Sequence, residues 1–193
     1  LPLMLMGFSW GGFSVSNVLN YHDDVKAVVA ISGWNESSNL IEYRSSLYVG
    51  AFSKVLLPFV RVHEHIKYGK YASSKAMDAF EDTNAKIMII HSEDDTSVPI
   101  QYGYDTYYEK YKNDERFTFK HYHYRGHNVY YSVDGAMYYK NFLNKLEVYK
   151  ANENPTDAEL VNYINENLDR KKLANKLDYD LFEEIIELYN SCL

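Results

Sequence analysis

The chain has 193 residues, 46% hydrophobic and 24% charged, with a formal net charge of −7; this suits a single buried core and a soluble globular domain. No basic stripe is present to neutralise phosphates, which argues against nucleic acid and anionic membrane as partners, and the lone Cys192 excludes an intrachain disulfide. No apolar run approaches a membrane span, and Leu1–Met6 is too short and lacks a charged leader, so a cytoplasmic location is expected.

The apolar run Leu3–Phe8 predicts a strand, and Gly11–Tyr21 the helix that follows it. Val25–Ser32 is a nearly continuous apolar and β-branched run, the pattern of a strand buried on both faces of a parallel sheet. About fifty residues follow, 34–85, far more than a crossover needs. They hold helical patterns such as Leu47, Phe52, Val55, Leu56, Phe59 and Val60, and predict an inserted lid or pocket wall on the strand-end side of the sheet. Lys86–His91 predicts a third strand, Ile100–Lys112 a helix announced by Pro99, and Arg116–Tyr124 a fourth strand with Phe117, Phe119, His121 and His123 on one face. Asp134–Lys150 carries Ala136, Tyr139, Phe142, Leu143 and Leu146 at helical spacing. Strands alternating with helices imply an α/β fold with a parallel sheet and right-handed crossovers.

The polar linker Asn152–Pro155 then separates a core domain, 1–150, from a helical appendage, 151–193. The appendage holds 10 acidic and 4 basic residues and so most of the net charge. Thr156 and Glu159 form a capping box, and a last helix carries Leu181, Phe182, Ile185, Ile186 and Leu188. An apolar helix face of this kind must pack on the body or on a partner.

Gly7-Phe8-Ser9-Trp10-Gly11-Gly12 lies where the first strand gives way to a helix. A serine with glycine two residues to either side at such a junction has the form of a nucleophile elbow. The turn is tight enough that side chains at the flanking positions are expected to clash. Its Oγ stands at a helix N-terminus, where backbone N–H groups favour a negative oxygen. Attack by serine on a carbonyl also needs a base and an acid to orient it. The third strand is followed by His91-Ser92-Glu93-Asp94-Asp95-Thr96-Ser97-Val98-Pro99 and the fourth by Arg125-Gly126-His127-Asn128. These loops place carboxylates and an imidazole at strand C-terminal ends, where α/β sheets build their sites.

With these three motifs in the order serine, aspartate, histidine, the chain resembles the C-terminal half of an α/β-hydrolase-fold serine hydrolase of the esterase or acyl-peptidase kind. G-F-S-W-G-G resembles the family's elbow, H-S-E-D-D-T-S-V-P its H-G-x-x-D-x-x-V-P acid loop with Ser92 in place of glycine, and R-G-H-N its G-H loop. The resemblance implies Ser9 as nucleophile, His127 as general base, Asp95 as orienting acid and the Trp10 backbone N–H as one oxyanion donor. Asp94 is the rival acid; Asp95 is preferred because it stands four residues before Pro99. The implied reaction is hydrolysis of a carboxylic ester, or an amide, through an acyl-enzyme. It needs no cofactor and no metal, and its partner is a small ester or acyl substrate. The resemblance covers residues 1–150 and begins at the family's fifth strand. The chain therefore reads as a fragment whose elbow strand is an unpaired apolar edge open to self-association, as the helical tail also is. A non-catalytic binding or assembly module on the same scaffold is the alternative.

Phe8 and Trp34 are the candidate pocket residues, Trp34 standing just past a strand end; core packing competes for Phe8. His121, His123 and His127 form H-x-H-x-x-x-H, a pattern that suggests metal but lacks the further ligands of a hydrolytic zinc site, and packed or solvated strand histidines are the expected reading.

Overall fold

The computed structural model describes residues 2–193. β1 (Leu3–Phe8), β2 (Val25–Ile31), β3 (Lys86–Ser92) and β4 (Phe117–Tyr122) form one sheet in the order β1-β2-β3-β4, with every neighbouring pair parallel. The register aligns Phe8 with Ile31, Ile31 with Ile90, and Ser92 with Tyr122. The C-terminal tips of all four strands therefore lie along one edge.

Crossovers of one hand that step in one direction land on one face of the sheet. There α1 (Trp10–Val18), α4 (Ala76–Asp82) and α5 (Tyr104–Tyr111) meet Val28, Ala30, Ile87 and Ile89, with Phe80, Tyr107 and Tyr111 filling the space between them. The alternate residues Val29, Ile31, Met88 and Ile90 face the other way, against Leu181 and Ile185 of α9 (Tyr179–Asn190). Burial from both sides explains why β2 and β3 read as unbroken apolar runs.

The acidic C-terminal segment thus contains a helix that completes the core. α6 (Val133–Glu153), α7 (Asp157–Asn167) and α8 (Arg170–Ala174) make the excursion that carries the chain to α9. The Thr156–Glu159 capping box opens α7. Asp178 caps α9 by accepting from the Leu181 N–H, and its carboxylate pairs with Arg125 at 2.9 Å.

The insertion after β2 is shorter than the sequence suggests. α2 (Ser37–Val49) and α3 (Ser53–Tyr68) pack on each other over the strand tips. α4 is instead the ordinary crossover helix: Ala76, Ala79 and Phe80 are fully buried against the sheet, and Asn35 accepts from the Ala76 and Met77 N–H groups at its start. The helix expected from Ile100 is likewise split, into a 3-10 turn over Ile100–Tyr102 and then α5. A Cβ on the intervening Gly103 would lie 2.2 Å from the Gly33 carbonyl oxygen, so the two loops touch through backbone there.

β1 is an edge strand that pairs only with β2 among the described residues, and it leaves Leu3 and Met6 exposed. No helix among the described residues is long and apolar enough to cross a membrane.

Leu181 is fully buried against the face formed by β2 and β3. Leu181→Ala is expected to cost about 3 kcal/mol of stability in urea unfolding, the usual range for a buried leucine. Val161→Ala on the exposed face of α7 should stay within about 0.5 kcal/mol.

Candidate active site

Ser9 occupies the single residue between β1 and α1, with φ 55° and ψ −116°. A non-glycine residue at positive φ costs about 1–3 kcal/mol and persists only where its surroundings impose it. Here the Ser9 N–H donates to the Ile31 carbonyl at 2.8 Å, and the Ser9 carbonyl accepts from Phe13 at 3.0 Å. The glycines around it are not equivalent. A Cβ on Gly7 would fall 2.1 Å from the Gly11 carbonyl oxygen, and one on Gly12 would fall 2.8 Å from that of Ile31. A Cβ on Gly11 meets nothing within 4 Å. The expected crowding is therefore found at Gly7, which abuts the backbone of α1, but not at Gly11; on the helix side it falls instead on Gly12, which abuts the end of β2.

His127 reaches Ser9 from the loop after β4, its Nε2 3.0 Å from the Ser9 Oγ, while its Nδ1 lies 2.7 Å from Asp95 Oδ2. Asp95 is almost fully buried. Its Oδ1 accepts from the Ser97 and Val98 N–H groups at 2.8 and 2.9 Å. Burial pushes this carboxyl upward, but hydrogen bonds from His127 and His91, with the His127 charge and the Val98 N–H, outweigh that and hold it well below the usual carboxylate range. An ionised Asp95 can only accept, so His127 donates from Nδ1 and offers the Nε2 lone pair to the Ser9 hydroxyl.

The sequence motifs place these three residues at strand tips; the shell that fixes them was not legible. His91 is buried at the end of β3, with Nε2 2.8 Å from the Val98 carbonyl and 3.3 Å from Asp95 Oδ2. Both neighbours are acceptors, so this nitrogen carries the proton and braces the acid loop from within. The signal was the first residue of the motif that supplied Asp95. Asp94 turns away from His127: its Oδ1 accepts from the Ser92 hydroxyl at 2.6 Å and the Gly126 N–H at 2.7 Å. The Ser92 Oγ also lies 3.2 Å from the Tyr122 carbonyl oxygen and accepts from the Arg125 N–H at 3.1 Å, so it joins the β3 and β4 loops. Ser32 donates to the His127 carbonyl at 2.9 Å.

A cleft of about 370 Å³ opens over Ser9 and His127, lined by Trp10, Trp34, Leu40, Ile41, Val98 and Arg44 among others. Trp34 forms its buried wall, stacked on Phe13 at 5.2 Å with Trp10 edge-on at 4.8 Å. Phe8 is not in the cleft. The pleat aims it at the α9 face, where it backs the His127 ring at 4.8 Å and meets Tyr130 edge-on at 5.0 Å. No side chain caps α1, and the N–H of Trp10 at its first position has no intrahelical acceptor by geometry. The three histidines of H-x-H-x-x-x-H are divided: His127 joins Ser9 and Asp95, whereas His121 and His123 both contact Glu93.

A parallel sheet of this order, flanked by helices and with its loops gathered at the strand tips, has the architecture of the α/β-hydrolase fold. Residues 2–147 match the model of the prolyl oligopeptidase family, and the chain belongs to that family. No curated protein sequence matches the chain. Among solved structures it is similar to a Pyrococcus horikoshii acylaminoacyl peptidase (16% identity, TM-score 0.48, covering 75% of this chain and 23% of that one). It is similar also to the esterase domain of a Rhodothermus marinus protein (18%, 0.45, 74% and 57%) and to a Mycobacterium tuberculosis puromycin-hydrolyzing peptidase (16%, 0.46, 65% and 19%). The chain thus spans less than two thirds of the length of each.

Two substitutions separate backbone crowding from simple glycine flexibility. Gly7→Ala should destabilise the protein by about 2 kcal/mol or more, since the atom it would meet is backbone, whereas Gly11→Ala should be neutral or stabilising by up to about 1 kcal/mol; thermal unfolding of the pair reads both.

Because the Asp95 carboxyl is depressed in the folded state, its contribution to stability is complete above about pH 4 and is lost as pH falls through its folded value. Melting temperatures taken from about pH 5 downward should therefore fall in the native protein and fall less steeply in Asp95→Asn.

Proposed function

We propose that this protein hydrolyses a carboxylic ester or amide through an acyl-enzyme on Ser9. The reading is carried by the unbroken hydrogen-bonded line from the Ser9 hydroxyl through His127 to the buried Asp95. His127 Nε2 removes the hydroxyl proton as Oγ bonds to the substrate carbonyl carbon. The carbonyl electron pair moves to oxygen, where the Trp10 N–H and the N-terminal end of α1 face the developing charge. The imidazolium that forms is stabilised by Asp95, which stays ionised throughout. It then returns its proton to the leaving alcohol or amine as the bond to the acyl carbon breaks. Water repeats the sequence: His127 takes a water proton, hydroxide attacks the acyl-enzyme, and Ser9 leaves with the proton from His127.

The lining of the cleft supports this reading of the substrate. Trp34, Leu40, Ile41 and Val98 suit a compact apolar acyl group beside Ser9, and Arg44 at the rim is the cationic feature of the lining. An ester is favoured over a peptide, since no dedicated clamp for a peptide terminus is present among the described residues.

A fluorophosphonate probe should label the folded full-length protein at Ser9, and Ser9→Ala should abolish both labelling and hydrolysis of short-chain p-nitrophenyl esters. Asp95→Asn should retain the fold but lower kcat by about 10⁴-fold, because the imidazole then rests in the wrong tautomer. A folded sample that the probe leaves unmodified would overturn the assignment.

A further inference from the structure

Glu93, His121 and His123 converge on the outer side of the β3–β4 tips. Glu93 is the first residue past β3, and its N–H donates to the Tyr122 carbonyl at 2.8 Å, which fixes the loop against the neighbouring strand. His121 lies in β4 and His123 just beyond it, and their two-residue spacing brings both rings to one side of the extended chain, with centroids 4.9 Å apart. The Glu93 carboxylate spans the pair: Oε1 lies 2.7 Å from His121 Nε2 and Oε2 lies 2.7 Å from His123 Nδ1. One ligand atom from each residue can be chosen so that all three lie within 4.8 Å of one another. The His121 ring is further oriented by Tyr104, at 5.5 Å.

We infer that Glu93, His121 and His123 form a binding site for a borderline divalent transition-metal ion such as Zn²⁺. Two imidazole nitrogens and one carboxylate oxygen are the donor set such an ion prefers, and ligand bonds of about 2.0–2.2 Å need only a small inward shift of three exposed side chains. In place of the hydrogens now shared between carboxylate and imidazoles, the ion would take one lone pair from each ring, with water completing the tetrahedron.

The location gives the ion a structural consequence. Glu93 directly precedes Asp94 and Asp95, and His123 stands three residues before Gly126. A metal here would clip the acid-bearing loop to the strand that leads into the His127 loop. That cross-link acts at the outside of the tips, while Ser92 and Asp94 join the same two loops from within. The inference is independent of the proposed hydrolytic role, since none of its ligands touches Ser9, His127 or Asp95.

The test uses untagged, chelator-stripped full-length protein. Zn²⁺ titrated by calorimetry should bind with one-to-one stoichiometry, and Co²⁺ should develop the visible absorption of a four- or five-coordinate ion. At about a hundred times the dissociation constant, Zn²⁺ should raise the melting temperature by roughly 5 °C or more. Glu93→Gln and His121→Ala, each checked for native far-ultraviolet circular dichroism, should weaken binding by at least about tenfold. His127→Ala should bind as the unaltered protein does. Absence of Zn²⁺ binding, retention of full affinity in both ligand variants, or loss of binding in His127→Ala would overturn the assignment.

Discussion

Parallel pairing in consecutive order is the constraint on which the rest of this molecule depends. It forces the loops after β1, β2, β3 and β4 onto one edge, so residues 9, 32, 95 and 127 become neighbours although 118 positions separate Ser9 from His127. The Ile31 carbonyl at the end of β2 then accepts from Ser9, and Ser32 just beyond it donates to the backbone of His127. One strand tip thereby holds the serine on one side and the histidine on the other. The positive φ at Ser9 is sustained by the same arrangement, because β2 and α1 leave its peptide groups no other partners.

A second layer of constraint comes from the acidic C-terminal segment. α9 covers the sheet face opposite the crossover helices, and its cap Asp178 pairs with Arg125, two residues before His127. Arg125 also lies over the Tyr122 ring at 4.5 Å and donates to the Tyr131 carbonyl. The imidazole loop is therefore anchored to the core through the chain's last helix. Its acidic residues divide their work by position: Glu184 pairs with Lys120 of β4, while Asp178 serves the loop.

The two adjacent carboxylates of the acid loop show how local packing separates chemically identical groups. Asp95 sits inside, receives two backbone N–H groups and both histidines, and is kept ionised. Asp94, one residue earlier, points to the neighbouring loop and is absorbed by Ser92 and Gly126. The Ser92 hydroxyl at the end of β3 links three segments without departing from strand geometry.

The sequence by itself determined the strands, their parallel class and the position of each reactive residue at a strand end, because apolar runs of β-branched residues and glycine turns are local signals with a fixed period. The serine, aspartate and histidine motifs were legible for the same reason. Asp95 over Asp94, and Trp34 as a pocket wall, were the readings the sequence already preferred; tertiary structure alone decided that Phe8 backs the imidazole, that α4 belongs to the core, and that α9 closes the second face. It also decided that His121 and His123 turn to Glu93 and not to His127. Each of these rests on contacts between segments distant in the chain, and side-chain direction across a sheet edge is set by the pairing of strands, which no local pattern encodes.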